Sequence, residues 1–89
     1  MMPILVIAPN YRYAQEWARD LGLGVTEWHY VTHRNKIMSV EGVQFHIVES
    51  EGWTKETHEA RLEAEYRVLC GRAWYYPQHP NITNVNLNG

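Results

Sequence analysis

The sequence predicts a small α/β domain in the order β-α-β-β-α, with a mostly parallel sheet and room for a short C-terminal strand. An unbroken apolar run at residues 4–8 leads directly into an amphipathic helical segment. Runs rich in β-branched and aromatic residues follow at 27–32 and 43–48, ahead of a long charged helical segment at 54–70. A strand that is apolar at every position is typical of a parallel sheet with both faces covered.

The first strand and helix are predicted at residues 4–8 and 11–21. The β-branched content of the first run favours a strand over a helix. Asn10 is suited to cap the helix, because its side-chain oxygen can accept a hydrogen bond from a free backbone amide. Gly22 suits the left-handed position just past the end of a helix. Apolar residues recur along one helical face, at Ala14, Trp17, Ala18 and Leu21.

The middle of the chain predicts two further strands, at 27–32 and 43–48, with a polar loop at 33–36. Residues 37–40 fit either a turn or a short strand. If they form a strand, Glu41-Gly42 closes a hairpin. If they form a turn, the sheet is mainly parallel.

The second helix is predicted at residues 54–70, with Gly71 as its C-terminal cap or with an extension to Trp74. Its apolar stripe is predicted at Leu62, Tyr66, Leu69 and Ala73, widened by Val68 and Cys70. Opposite charges four residues apart predict three ion pairs, Lys55–Glu59, Arg61–Glu65 and Glu63–Arg67. Because the apolar first strand needs cover on both sides, the two helices are expected on opposite faces of the sheet.

Length assigns the chain to one domain, residues 1–76, followed by a polar tail at 77–89. Alternation at Thr83, Val85 and Leu87 fits a short edge strand, and a frayed terminus fits as well. The apolar start is too short for a membrane span and lacks a basic leader, so we expect a cytoplasmic protein with no membrane partner. One cysteine excludes an internal disulfide, and a net charge of -2 disfavours nucleic acid as a partner.

The turn after the first strand is the first candidate site. The start of a helix offers free amides to an anion. A phosphate-binding loop, however, needs glycines and a lysine, and residues 8–12 contain neither. The turn therefore favours an ordinary capped helix. The alternative is a weak anion or nucleotide site built from the turn, the polar loop and the end of the third strand: Asn10, Tyr11, Arg12, Arg34, Lys36 and Glu49.

Other reactive residues fit structural roles better than catalytic ones. Glu49 and Glu51 end a strand where α/β folds bind ligands, but acidic residues also favour the start of the next helix. His29, His33 and His46 could meet if the second and third strands were neighbours, yet no histidine pair has helical metal spacing. Cys70 is predicted as a buried apolar residue. We expect no metal, no cofactor and no catalytic constellation.

Aromatic residues exceed what a small core needs: the chain has 4 Trp and 6 Tyr. Large aromatic side chains anchor protein interfaces. The residues predicted to do so are Trp28, Trp53, Trp74, Tyr75 and Tyr76. The hypothesis is a non-enzymatic protein that binds a second copy of itself or a host or viral protein. The alternative is a nucleotide- or nucleic-acid-binding module.

Residues 6–12, 28–32 and 43–51 together resemble the strands and turns of the P-loop or helicase α/β core. The chain is also similar to small Rossmann-like accessory proteins of bacteriophages, over about residues 3–70. The resemblance implies the fold and, if the chain is phage-encoded, the host cytoplasm. Since the glycine-rich loop and its lysine are missing, no catalytic residue is carried over.

Overall fold

The protein forms a four-stranded sheet with one helix on each face, as seen in a computed structural model that describes residues 3–38, 40 and 42–76. The strands are β1 (Ile4–Ile7), β2 (Trp28–Val31), β3 (Gln44–Ile47) and β4 (Trp74–Tyr75). The helices are α1 (Tyr11–Asp20) and α2 (Lys55–Leu69), with a short 3-10 helix at Arg34–Lys36. None of the helices in the described ranges is long and apolar enough to cross a membrane.

The α/β class predicted from the sequence is confirmed, and every strand pair is parallel. The strands lie in the order β2-β1-β3-β4. Because β1 separates β2 from β3, the segment between them crosses over the sheet and closes no hairpin. The turn was therefore the right alternative for the described residues of this stretch, 37, 38 and 40.

The two faces of β1 enter two different cores, which confirms the prediction from its unbroken apolar run. Leu5 and Ile7 pack on the α2 side, with Phe45, Ala60 and Ala64 among their neighbours. On the α1 side the cluster contains Ile4, Val6, Ala8 and Ala14. The helices thus cover opposite faces of the sheet, as expected.

Helix α1 begins and ends as its sequence predicts. Asn10 Oδ1 accepts a hydrogen bond from the Tyr13 amide at 3.2 Å, which caps the first turn. Gly22 has a φ of 71°, in the left-handed region. The amide of Leu23 donates to the Ala18 carbonyl at 2.9 Å, a bond that closes the helix end around this glycine.

The apolar stripe predicted for α2 was wrong for its three largest members: Leu62, Tyr66 and Leu69 are 51, 58 and 85% exposed. It was right for Ala73, which is buried, and for Val68, which packs against the core. Ala60 and Ala64, outside the predicted stripe, are fully buried. The buried face of α2 is made by Thr57, Ala60, Ala64 and Arg67, and its two alanines let the helix approach the sheet closely. Cys70, predicted to be buried, is exposed at the helix end, outside that face.

Strand β4 was missed by the sequence analysis, which considered extending α2 to Trp74. Gly71, with a φ of 75°, ends the helix as predicted. The chain then turns back, and the Trp74 amide donates to Val43 O at 3.0 Å, which starts the pairing with β3. The edge strand predicted around Thr83, Val85 and Leu87 lies outside the described residues.

Candidate functional site

The carboxyl ends of β1 and β3 lie side by side, and their connections leave in opposite directions. The chain goes from β1 through α1 to β2 at one edge, and from β3 through α2 to β4 at the other. In open α/β sheets, ligands bind at such a switch point. Asn10 follows β1 and Glu49 follows β3, so these two predicted site residues both lie at the carboxyl end of the sheet.

The side chains of both residues, at the carboxyl end of the sheet, make structural contacts. Asn10 caps α1. Arg61 Nη2 donates to Glu49 Oε1 at 2.9 Å and to Oε2 at 3.3 Å, so α2 holds this carboxylate. The Arg61 guanidinium also lies 5.1 Å from the centre of the Trp53 ring, and Trp53 Nε1 donates to Ser50 O at 2.9 Å. These contacts fix the loop between β3 and α2.

A groove of about 260 Å³ opens beside this loop, and His46, Glu49, Glu65, Tyr75 and Tyr76 contribute to its lining. The His46 ring stacks on Trp17 with 4.1 Å between ring centres. Burial lowers the pKa of His46, although the charge of Glu49 acts in the opposite direction. Burial raises the pKa of Tyr75, because it disfavours the charged phenolate. These shifts favour a neutral imidazole and a neutral phenol, groups suited to packing.

The basic residues of the predicted anion site, Arg12, Arg34 and Lys36, are split between the two faces of the sheet. Arg12 lies on α1, where its Nε is 3.7 Å from Glu16 Oε2. Arg34 and Lys36 belong to the 3-10 helix, which packs against α2 on the other side of the sheet. Lys36 lines a mainly apolar cavity of about 440 Å³, together with His29, Leu5, Val31, Val40 and Val43.

The predicted meeting of His29, His33 and His46 required β2 and β3 to be neighbouring strands. Since β1 lies between those strands, the histidines do not converge. His29 pairs with Leu5 in register, and His46 pairs with Val6, on opposite faces of β1. Within the described ranges, no three His, Cys, Asp or Glu side chains are grouped as metal ligands. His79 lies outside those ranges.

The five predicted interface aromatics are all partly buried. Trp53 and Tyr75 pack against the core on the α2 side, and Trp28 and Tyr76 against the core on the α1 side. Trp74 is half-buried in β4. Their exposed edges are therefore narrower than the sequence suggested.

The structure shows two exposed apolar surfaces; the sequence predicted neither as a surface and gave an interface role to Trp28 alone among their residues. The first, which we call the α2 stripe, consists of Leu62, Tyr66 and Leu69. The second, the edge aromatics, consists of Tyr11, Trp28 and Tyr30, and the Tyr11 ring lies 5.9 Å from each of the other two rings. The spacing of Ala60 and Ala64 was the available signal for the first, since paired small residues mark a close helix contact.

No protein family, no curated protein and no solved structure matches this chain. The geometry described above is therefore the basis for a functional proposal.

Proposed function

We propose that this chain is a non-enzymatic interaction protein of bacteriophage type, which binds a second copy or a host or viral protein through apolar and aromatic surface. The observation that supports this most strongly is the α2 stripe. Its three large side chains lie along the outer face of a helix and are at least half exposed to solvent. Contiguous exposed apolar surface marks interaction sites in soluble proteins.

The spacing of the α2 stripe supports helix-mediated binding. Leu62, Tyr66 and Leu69 stand at i, i+4 and i+7, which aligns them on one side of the helix. A partner groove or a partner helix recognises anchors at this spacing. Charged side chains flank the stripe: Arg61 and Glu65 are ion-paired at 3.5 Å, and Glu63 is held by Arg67 at 3.0 Å. An apolar centre with a polar rim is the usual anatomy of an interface.

The polar groups near the switch point favour this proposal over an enzyme. Glu49 and Glu65 both approach Arg61, so one guanidinium offsets two carboxylates. Groups committed to one another in this way stabilise the loop after β3. General acid–base chemistry needs groups directed at a substrate.

The test compares Leu69→Glu with Met38→Glu, because both replace an exposed apolar side chain with a carboxylate. Binding is measured as self-association by sedimentation velocity and as quantitative mass spectrometry of proteins retained from a bacterial lysate. We expect Leu69→Glu to remove the retained partner and Met38→Glu to keep it. Identical profiles for wild type and Leu69→Glu would count against the α2 stripe as the binding surface.

The second candidate, a nucleotide- or nucleic-acid-binding module with a degenerate P-loop-like core, is favoured by the switch point between β1 and β3. It would use Asn10, Tyr11 and Arg12 with Glu49, whereas Arg34 and Lys36, also predicted for this site, lie on the other side of the sheet. A thermal shift with nucleotides, or a salt-sensitive shift with oligonucleotides, that Arg12→Ala weakens would support it. No response to any nucleotide or oligonucleotide would exclude this second candidate.

A further inference from the structure

Strand β2 forms one edge of the sheet and has a strand neighbour on one side in the described part of the chain. Ile4 N donates to Glu27 O at 2.9 Å, and Ile4 is paired with Trp28. In this parallel register, Glu27, His29 and Val31 direct their backbone groups towards β1. The alternate residues Trp28 and Tyr30 direct their N–H and C=O groups outwards, as a template for another strand.

This edge has few of the features that keep edge strands from pairing. Natural edges are shielded by lysine, proline, bulges or inward charges. The sequence of β2 is Trp-His-Tyr-Val, with none of those residues. By contrast, the opposite edge of the described sheet is a strand of 2 residues.

Apolar surface continues from β2 onto both faces of the sheet. On the α1 side, Tyr11 is 53% exposed and stacks on Trp28, and Val25, 88% exposed, borders a groove that reaches Trp28. On the α2 side, the cavity of about 440 Å³ is lined by Val31 and His29 of β2. A strand laid along this edge would therefore bury side chains as well as backbone groups.

We infer that a second copy of this chain pairs with the outer edge of β2, antiparallel to it, about a twofold axis that passes by His29. The two four-stranded sheets then join into one continuous sheet. This pairing is independent of the α2 stripe, so either surface can fail its test alone.

A second copy fits the edge because the sequence of β2 is self-complementary about His29. With the axis there, Trp28 of each copy lies opposite Tyr30 of the other. Both residues direct their backbone groups outwards, so each such pair is hydrogen-bonded. Aromatic pairs across strands stabilise a sheet.

Charge also favours a second copy as the occupant. The four residues of β2 carry no Lys, Arg, Asp or Glu, so an identical strand meets no like-charge repulsion. A stable interface buries roughly 1,200–2,000 Å² in total, more than a short strand pair supplies. The exposed flanks at Tyr11 and Val25, which would turn towards the other copy, extend the contact beyond the strands.

The test uses the full chain. It places a charge at the proposed axis, on His29, and compares it with the same changes at His58, away from the axis. His29 and His58 are both exposed, but His58 lies on α2 one turn before Leu62. We expect wild type to dimerise in sedimentation equilibrium. His29→Lys and His29→Glu should each weaken the dimer at least about tenfold, because like charges directly opposite each other destabilise a strand pair. An equimolar mixture of the two should restore dimerisation, since Lys then faces Glu.

His58→Lys and His58→Glu should leave the dimer unchanged, and circular dichroism should show that all four variants fold. A wild type that stays monomeric at every concentration would overturn the β2 pairing. So would a dimer that withstands both His29 variants and dissociates with the His58 variants or Leu69→Glu. That second result would at the same time support self-association through the α2 stripe, so the two proposals are distinguished.

Discussion

Arg67 Nη1 donates a hydrogen bond of 2.8 Å to the carbonyl oxygen of Val40, and this contact ties α2 to the segment that crosses the sheet between β2 and β3. Arg67 Nη2 donates to Met38 O at 3.0 Å, and Nε donates to Glu63 at 3.0 Å. The arginine is 5% exposed, and each of its three guanidinium nitrogens donates to a partner, so its charge is buried and paired. A cation buried in this way positions a loop that apolar packing alone would leave less defined.

Replacing Arg67 with alanine should be strongly destabilising. The change leaves the part-buried carbonyls of Met38 and Val40 without their donor and removes the partner of Glu63. Breaking a buried ion pair costs about 3–5 kcal/mol. Urea unfolding measures the loss, with Arg12→Ala as the control because that arginine is exposed and its pair contributes about 0–1 kcal/mol. Equal losses in the two variants would contradict the role given to Arg67.

The buried face of α2 can be tested by changing residue size. Ala64→Leu should destabilise the protein by about 1–3 kcal/mol, because the helix has no room for added methylenes where it packs on the sheet. Leu69→Ala should change stability by less than about 0.5 kcal/mol, because the side chain is exposed. Guanidinium unfolding measures the free energy of unfolding of both variants. A larger loss in Leu69→Ala than in Ala64→Leu would mean that the face with Leu69 is the buried one.

Asn10 should behave as a helix cap. Asn10→Ala should lower the free energy of unfolding by about 1 kcal/mol, whereas Asn10→Asp should retain it, because aspartate also caps helices. Gln15→Ala, at an exposed position in the same helix, should have little effect. Thermal unfolding followed by circular dichroism makes the comparison. A stable Asn10→Ala variant would show that the cap contributes nothing, and the residue would then be free for a ligand.

His46 should make stability depend on pH. Burial lowers its pKa in the folded protein below the ordinary value of 6.5, so the unfolded chain binds more protons between the two values. Stability is then fully present above pH 6.5 and decreases as the pH falls towards the folded pKa. His46→Gln should flatten this slope, and His58→Gln, at an exposed position, should not. Unfolding curves from pH 5 to 8 that keep their slope in His46→Gln would exclude His46 as the cause.

Local sequence signals predicted the ends of the helices well. Asn10 and Gly22 bound α1 because a side-chain acceptor and a left-handed glycine act within a few residues of themselves. The unbroken run at β1 likewise predicted a strand covered on both faces. Such signals depend on the backbone next to them, so no knowledge of the rest of the fold is required.

The candidate site was harder to predict because it depends on distance through space. Arg12 and Lys36 were predicted for one anion site, yet the sheet lies between them. Glu49 looked free to bind a ligand, yet Arg61, twelve residues later, holds it at 2.9 Å. The pairing of residues on different elements is set by strand order, which sequence patterns left open.

The sequence by itself determined the class of fold, the turns that start and end α1, and the chemical character of each segment. Tertiary structure alone decided which side of α2 is buried. The helix carries two candidate stripes, one of large apolar residues with Leu62 and one of small residues with Ala64. The close approach of the helix to a parallel sheet selects the small one. The large stripe is left on the surface because a helix buries the face that fits its neighbour, even when another face is more hydrophobic.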